Sequence, residues 1–329
     1  MPVSRIGPKL GFYVLTLWAA VTLNFVIPRL MPGNIVDAIL SNVESRGGML
    51  GARAIRALDR QFGIHTHQSW IGQYTTYLGH LVTGNWGISM LYYPTPVMAV
   101  IAHALPWTAA LIGMTTIIAF VVGTILGVVA AWRRNSLFDK VAAPIAMFFH
   151  SMPFFWYALV MIFVFAYTLG WFPVGGIYGI TVTPGLSISF LLSVVRHAIL
   201  PASTIVTASI GIWLLQMRNN MIPTIRKHYV TQARAMGLPN ETIMWRYAAR
   251  NALLPSLSGI SMAIGFVVGG SLLTEIVFAY PGIGYTLYQA VTRHDYPLMQ
   301  GCFLIIAIAV LMANFIADLL YSVLDPRTK

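Results

Sequence analysis

Six stretches of this chain run for about eighteen residues or more with at most one charged side chain. They are Leu10–Ile27, Trp107–Trp132, Val141–Leu169, Ala198–Met217, Leu254–Thr274 and Gly301–Leu324, the last interrupted only by Asp318. Roughly 20 apolar residues in a helix cross the ~30 Å of hydrocarbon in a bilayer. Each stretch is therefore read as a membrane-spanning helix. The second has a tryptophan at each end, as interfacial belts favour. The first follows Arg5 and Lys9 and is succeeded by Pro28, Arg29 and Pro32 rather than a small-residue cleavage site. It reads as an uncleaved span, not a signal peptide.

Composition agrees. Hydrophobic residues make up 57% and charged residues 9%, with mean hydropathy +0.74, whereas a soluble domain carries about a quarter charged residues. Soluble globular, disordered, collagen-like and nucleic-acid-binding classes are excluded, and the net charge of +11 reports loop orientation instead. With the N-terminus inside, the inner segments hold Arg5, Lys9, Arg133, Arg134, Lys140, Arg218, Arg226, Lys227, Arg234, Arg246, Arg250, Arg327 and Lys329. The remaining basic residues fall outside, mostly in one long loop that has little influence on topology. Both termini are expected in the cytoplasm. The lone cysteine, Cys302, excludes an internal disulfide framework and a cysteine-based zinc site.

The spans predict three regions: 1–30, a cytoplasmic N-terminus and first span; 31–106, an extracytoplasmic loop or cap with a short helix around Leu50–Gln61; and 107–329, a core with five further spans. Within the spans, Gly123 and Gly127, and likewise Gly265 and Gly269, lie four apart. Small residues on one face let helix backbones approach closely in lipid.

The inner segment 218–253 is the most informative. Thr231 to Met236 favours a short helix, Gly237 ends it and Pro239 forbids simple continuation. Asn240 is placed to cap a second helix with Glu241 in its first turn, running on to Arg250–Pro255 and the fifth span. The product is a compact knob with a basic rim at the inner membrane face; the alternative is an amphipathic loop resting on anionic headgroups.

Thr231-Gln232-Ala233, then Gly237, with Leu254-Pro255 beyond, resembles the EAA loop of binding-protein-dependent ABC importers. Thr231 and Gln232 stand where the general pattern has Glu and Ala, as in the peptide/nickel branch of that family. Four further blocks resemble that branch in order: Arg29-Leu30-Met31-Pro32-Gly33-Asn34, Glu275 to Gly284, Arg293-His294-Asp295-Tyr296-Pro297, and Asp318 to Arg327. The long outer loop resembles the B-type membrane subunit of oligopeptide, dipeptide and nickel importers.

The resemblance implies an all-α permease with six transmembrane helices of the type I ABC importer kind. It implies a second homologous permease subunit, two ABC ATPase subunits and an extracytoplasmic binding protein as partners. No phosphate-binding G-x-x-x-x-G-K-[ST] loop occurs in the chain. The chain is therefore expected to be a transport subunit and not an enzyme, binding no cofactor itself, with ATP and Mg on the partner ATPases. ATPase coupling is expected at Tyr229, Thr231, Gln232, Ala233, Arg234, Met236, Gly237 and Leu238, with Gly237 ending the short helix and Ala233 small enough for close contact.

Glu275 closes the fifth span, where a carboxylate should face protein or water. It is read as a gate or pathway residue, against a purely structural carboxylate. Phe278, Pro281, Gly282 and Gly284 beside it, and Gln216 at the end of the fourth span, are grouped as pathway candidates; Pro281, Gly282 and Gly284 suggest a non-helical dip. Asn314 and Asp318, one helical turn apart, are read as packing residues near the inner end. His65 and His67 form an H-x-H, too few ligands for a metal site, and no metal is expected. Peptide is the expected cargo and nickel the rival, no His/Met/Cys cluster lining the spans; a stand-alone secondary transporter or channel would need mid-membrane coupling charges that are almost absent.

Overall fold

A computed structural model describes residues 6–30, 69–266 and 272–324. Helix dominates these, and among the described residues the β-structure is one isolated antiparallel bridge, Ile88 to Pro96. The expected helix at Leu50–Gln61, the His65/His67 pair, Gly269 and the Asp325-Pro326-Arg327 end lie outside the described residues.

The helices are α1 (Ile6–Leu30), α2 (Trp70–Thr83), α3 (Val97–Trp132), α4 (Leu137–Ser151), α5 (Phe154–Met161, continued by a π-helical stretch Ile162–Thr168) and α6 (Ile188–Ile225). Then come α7 (His228–Ala235), α8 (Asn240–Thr242, widening into the π-helix Ile243–Ala249), α9 (Arg250–Phe266), α10 (Leu272–Val277), α11 (Ile283–Thr292) and α12 (Tyr296–Leu324). Among the described residues, α3, α6 and Tyr296–Ile316 of α12 are each long and apolar enough to cross a membrane. The bent pair α4–α5 makes a fourth if counted as one span, and α1 offers the shorter apolar stretch Gly11–Ile27. The fifth expected span is described only on either side of residues 267–271.

Three span boundaries differ from expectation. The second span starts ten residues earlier, at Val97, and carries Pro106 inside the helix; Val97–Leu105 is apolar apart from His103 and free of breakers, so the missing N–H of Pro106 does not end it. The third is not one rod but two helices bent by 99°. Met152 is extended (φ −70°, ψ 137°), the conformation that the ring of a following proline imposes. The fourth runs from Ile188 to Ile225, so Gln216 and Arg218 do not end it but lie two turns inside.

The chain forms two compact units. The first holds Thr108–Pro281 and the end of α12 from Met312. Here glycines set the spacing. A Cβ on Gly123 would come 2.6 Å from the Trp213 Cβ, and one on Gly127 2.5 Å from the Leu214 carbonyl oxygen. The pair seen in sequence is thus the face on which α3 meets α6. On another side of α6, a Cβ at Gly211 would come 2.5 Å from the Ala146 carbonyl oxygen of α4.

The second unit holds the chain up to Trp107 with Gly282–Leu311. In it α2, capped by Ser69 and closed by Gly84 (φ 73°), docks on α1. The Thr22 hydroxyl shares a 2.7 Å hydrogen bond with the Tyr74 hydroxyl, and Asn24 donates to the Tyr77 hydroxyl (3.1 Å) and the Gln300 carbonyl (2.8 Å). Asp295 accepts from the Ser89 hydroxyl (2.5 Å) and the Leu91 N–H (2.9 Å), and caps α12 through the Leu298 N–H (3.1 Å).

Candidate functional site

The expected elbow is present, and its geometry separates anchoring from exposed residues. Helix α7 starts at His228 and ends in a Schellman motif: the Gly237 N–H bonds the Arg234 carbonyl (3.0 Å) and the Leu238 N–H reaches the Ala233 carbonyl (3.3 Å). Gly237 sits at φ 75°, the left-handed position that closes such a turn. The next helix follows at once. Its N-cap position is Pro239, which makes no side-chain cap bond, and Asn240 is already its first helical residue. The expected Asn240 cap is thereby corrected: the extended backbone of Pro239 (φ −57°, ψ 141°) serves as the entry. From Asn240 to Phe266 the helix is unbroken through its π-helical turn.

One face of α7 is locked into the chain's own core. Val230 and Ala233, three residues apart, are fully buried with Val128 and Ala131 of α3, Met217 and Met221 of α6, and Ile243, Ala248, Ala249 and Ala252 of the following helix. Tyr229 and Leu238 pack against this core, and the Tyr229 hydroxyl bonds Asn251, while burial pushes its pKa up. The other face, Thr231, Gln232, Arg234, Met236 and Gly237, is exposed, Met236 to 67%. The Arg234 guanidinium lies 5.6 Å from the centre of the Trp132 ring, a cation–π contact that ties the exposed face to the end of α3. Ala233 is therefore small because its own core demands it, and it presents no surface to a partner.

Sequence reasoning missed the strongest polar contact of this region. Arg218 of α6 grips Asp139 of α4 with two hydrogen bonds, 2.6 Å from Nε and 3.0 Å from Nη2, and Asp139 also accepts from the Asn135 N–H (3.1 Å). The only signal was an isolated acid, Asp139, among the inner basic residues Arg133, Arg134 and Lys140.

Glu275 is fully buried and accepts a 2.7 Å hydrogen bond from the equally buried Thr108 hydroxyl. Of the two environments expected, it faces protein. Helix α10 ends beyond it on Ala279 (φ 45°), with the Tyr280 N–H bonding the Glu275 carbonyl (2.8 Å). Phe278 is buried, and its carbonyl accepts from the Gly176 N–H (3.0 Å). Pro281 is half-buried and non-helical. In the second unit, Gly282 is extended at the N-cap of α11. Gly284 is not in a loop as expected but inside α11, because the helix begins at Ile283 straight after the glycine. Gln216 is half-buried and faces α9, its amide 3.3 Å from where a Cβ on Gly259 would lie. Asn314 and Asp318 are half-buried on α12, one turn apart.

Among the described residues, helices long and apolar enough to cross a membrane accompany an elbow of short helices packed on α3 and α6. Residues 123–329 match the family described as binding-protein-dependent transport system inner membrane component, and the chain belongs to that family. It is similar to the di/tripeptide transport system permease protein DppB of Pseudomonas aeruginosa, 34% identical over 99% of each chain. It is also similar to the dipeptide transport system permease protein DppB of Alkalihalophilus pseudofirmus, 33% over 93% of each, and to the oligopeptide transport system permease protein AppB of Bacillus subtilis, 31% over 93% and 92%. In fold it resembles a chain of the inward-facing MetNI methionine ABC transporter, with TM-score 0.56 and 18% identity over 69% of this chain and 97% of that one.

Proposed function

We propose that this chain is a membrane-spanning permease subunit of an ATP-driven importer of peptides. It forms half of the translocation pathway with a second homologous permease. It crosses the bilayer six times with both termini in the cytoplasm. Two ATPase subunits, which hold the ATP and Mg, drive it from below, and an extracytoplasmic binding protein delivers cargo from above. The relatives named as peptide permeases support the cargo class, and they span nearly the whole chain.

The observation that carries the coupling role is the two-sided character of α7. Val230 and Ala233 fix it to the rods of α3 and α6, while Thr231, Gln232, Arg234 and Met236 remain on the outer side. Such a piece transmits a push on its exposed face into the helices it is packed against. The test uses the exposed residues, since a change at Ala233 damages the core whatever the partner. Met236→Asp and Gln232→Asp are expected to abolish co-purification of the ATPases and ATP-dependent peptide uptake while insertion into the membrane is normal. Undiminished ATPase retention by both variants overturns the coupling role; uptake by the purified chain without any ATPase overturns the importer reading itself.

A further inference from the structure

In the first unit a cavity of ≈ 530 Å³ opens beside the elbow, between α3, α6 and the helix running from α8 into α9. Its floor is apolar: Val128, Met217 and Leu253. Its rim carries Trp245, Arg246 and Arg250. The π-helical turn Ile243–Ala249 brings Arg246 and Arg250 to one side, because a wide turn aligns residues four to five apart. Both arginines are exposed, and among the described residues neither guanidinium meets a carboxylate. Thr124 also lines the cavity; its Oγ1 is occluded by protein atoms and offers the cavity no polar contact.

The geometry points to a binding site for one anionic phospholipid. The phosphodiester sits between Arg246 and Arg250, and an acyl chain lies over Val128, Met217 and Leu253. Trp245 belongs at the headgroup level, where indole rings concentrate. Basic pockets between membrane helices suit acidic headgroups. A small soluble anion would satisfy the arginines but not the apolar floor. A peptide would bring its own ammonium group, for which the lining has no acid.

The test is native mass spectrometry of the purified full-length chain, titrated with phosphatidylglycerol and with phosphatidylcholine. The wild type is expected to hold one phosphatidylglycerol at least ~10-fold more tightly than phosphatidylcholine. Arg246→Gln with Arg250→Gln should weaken phosphatidylglycerol about 30-fold, since each basic side chain near an anionic surface contributes roughly a factor of five. Equal retention of the two lipids by the wild type overturns the proposal, as does wild-type affinity in the double variant. Displacement by inorganic phosphate at millimolar concentration would make this a soluble-anion site, and displacement by a dipeptide a cargo site; either overturns it. Should the double variant not fold, the lipid preference and the two competitions on the wild type decide alone.

Discussion

At the scale of single residues, the elbow separates two kinds of small side chain. Gly237 is needed for its backbone: at φ 75° an alanine is strained by about 1 kcal/mol. Gly237→Ala should lower the thermal unfolding temperature modestly, whereas Gly237→Asn, which tolerates the left-handed region, should lose less. Ala233 is needed for its size, and Ala233→Leu should cost about 1–3 kcal/mol by overpacking. The Asp139–Arg218 pair makes a sharper prediction. Asp139 has a side-chain exposure of only 4%, so Asp139→Asn strands a partly buried guanidinium and should cost about 3 kcal/mol. Replacing both partners, Asp139→Leu with Arg218→Met, should recover part of that loss in the same thermal-unfolding measurement. That pair was illegible in the sequence because its members stand 79 residues apart. Nothing local marks Arg218 as paired and Arg246 as having no carboxylate partner among the described residues.

At the scale of elements, legibility followed the range of the forces involved. Apolar runs reveal rods directly, and Gly237-Leu238-Pro239 reveals a turn, because both depend on neighbouring residues. The spacing of Gly123 and Gly127 also foretold a contact face, though not that its partner would be Trp213, Leu214 and Met217 of α6. The bend at Met152 was written in the dipeptide with Pro153, yet an unbroken apolar run masked it. Pro106 misled in the other direction, since helix continues through it. The pairing of α1 with α2 rests on Asn24, Thr22, Tyr74 and Tyr77, polar groups that hydropathy alone treats as noise. The close approach of α3 to α6 has a testable cost. Gly127→Ala places a methyl 2.5 Å from a backbone oxygen and should destabilise the protein by at least ~1 kcal/mol. Gly113→Ala, on the same helix with nothing within 4 Å, should be neutral or slightly stabilising. Equal melting temperatures for the two variants would contradict the packing described.

At the scale of the whole molecule, acidity should act on the second unit through Asp295. Burial raises its pKa, outweighing the hydrogen bonds from Leu91, Ser89 and Leu298 that favour the charged form. The folded state therefore takes up the proton more readily than the unfolded chain. Stability from this group is gained as pH falls through the raised value and is complete below the ordinary carboxylate range. The slope of melting temperature against pH should accordingly differ between wild type and Asp295→Asn across the weakly acidic range, the wild type gaining more on acidification. Identical slopes would show that Asp295 contributes nothing to the response.

The unbroken run from Asn240 to Phe266 fixes the angular phase between the turn at Gly237–Pro239 and the far end of α9. One extra alanine spliced between Leu253 and Leu254 would turn everything after it by about 100° relative to everything before it, while the contacts of the short helix with Ile243, Ala248, Ala249 and Ala252 stay intact.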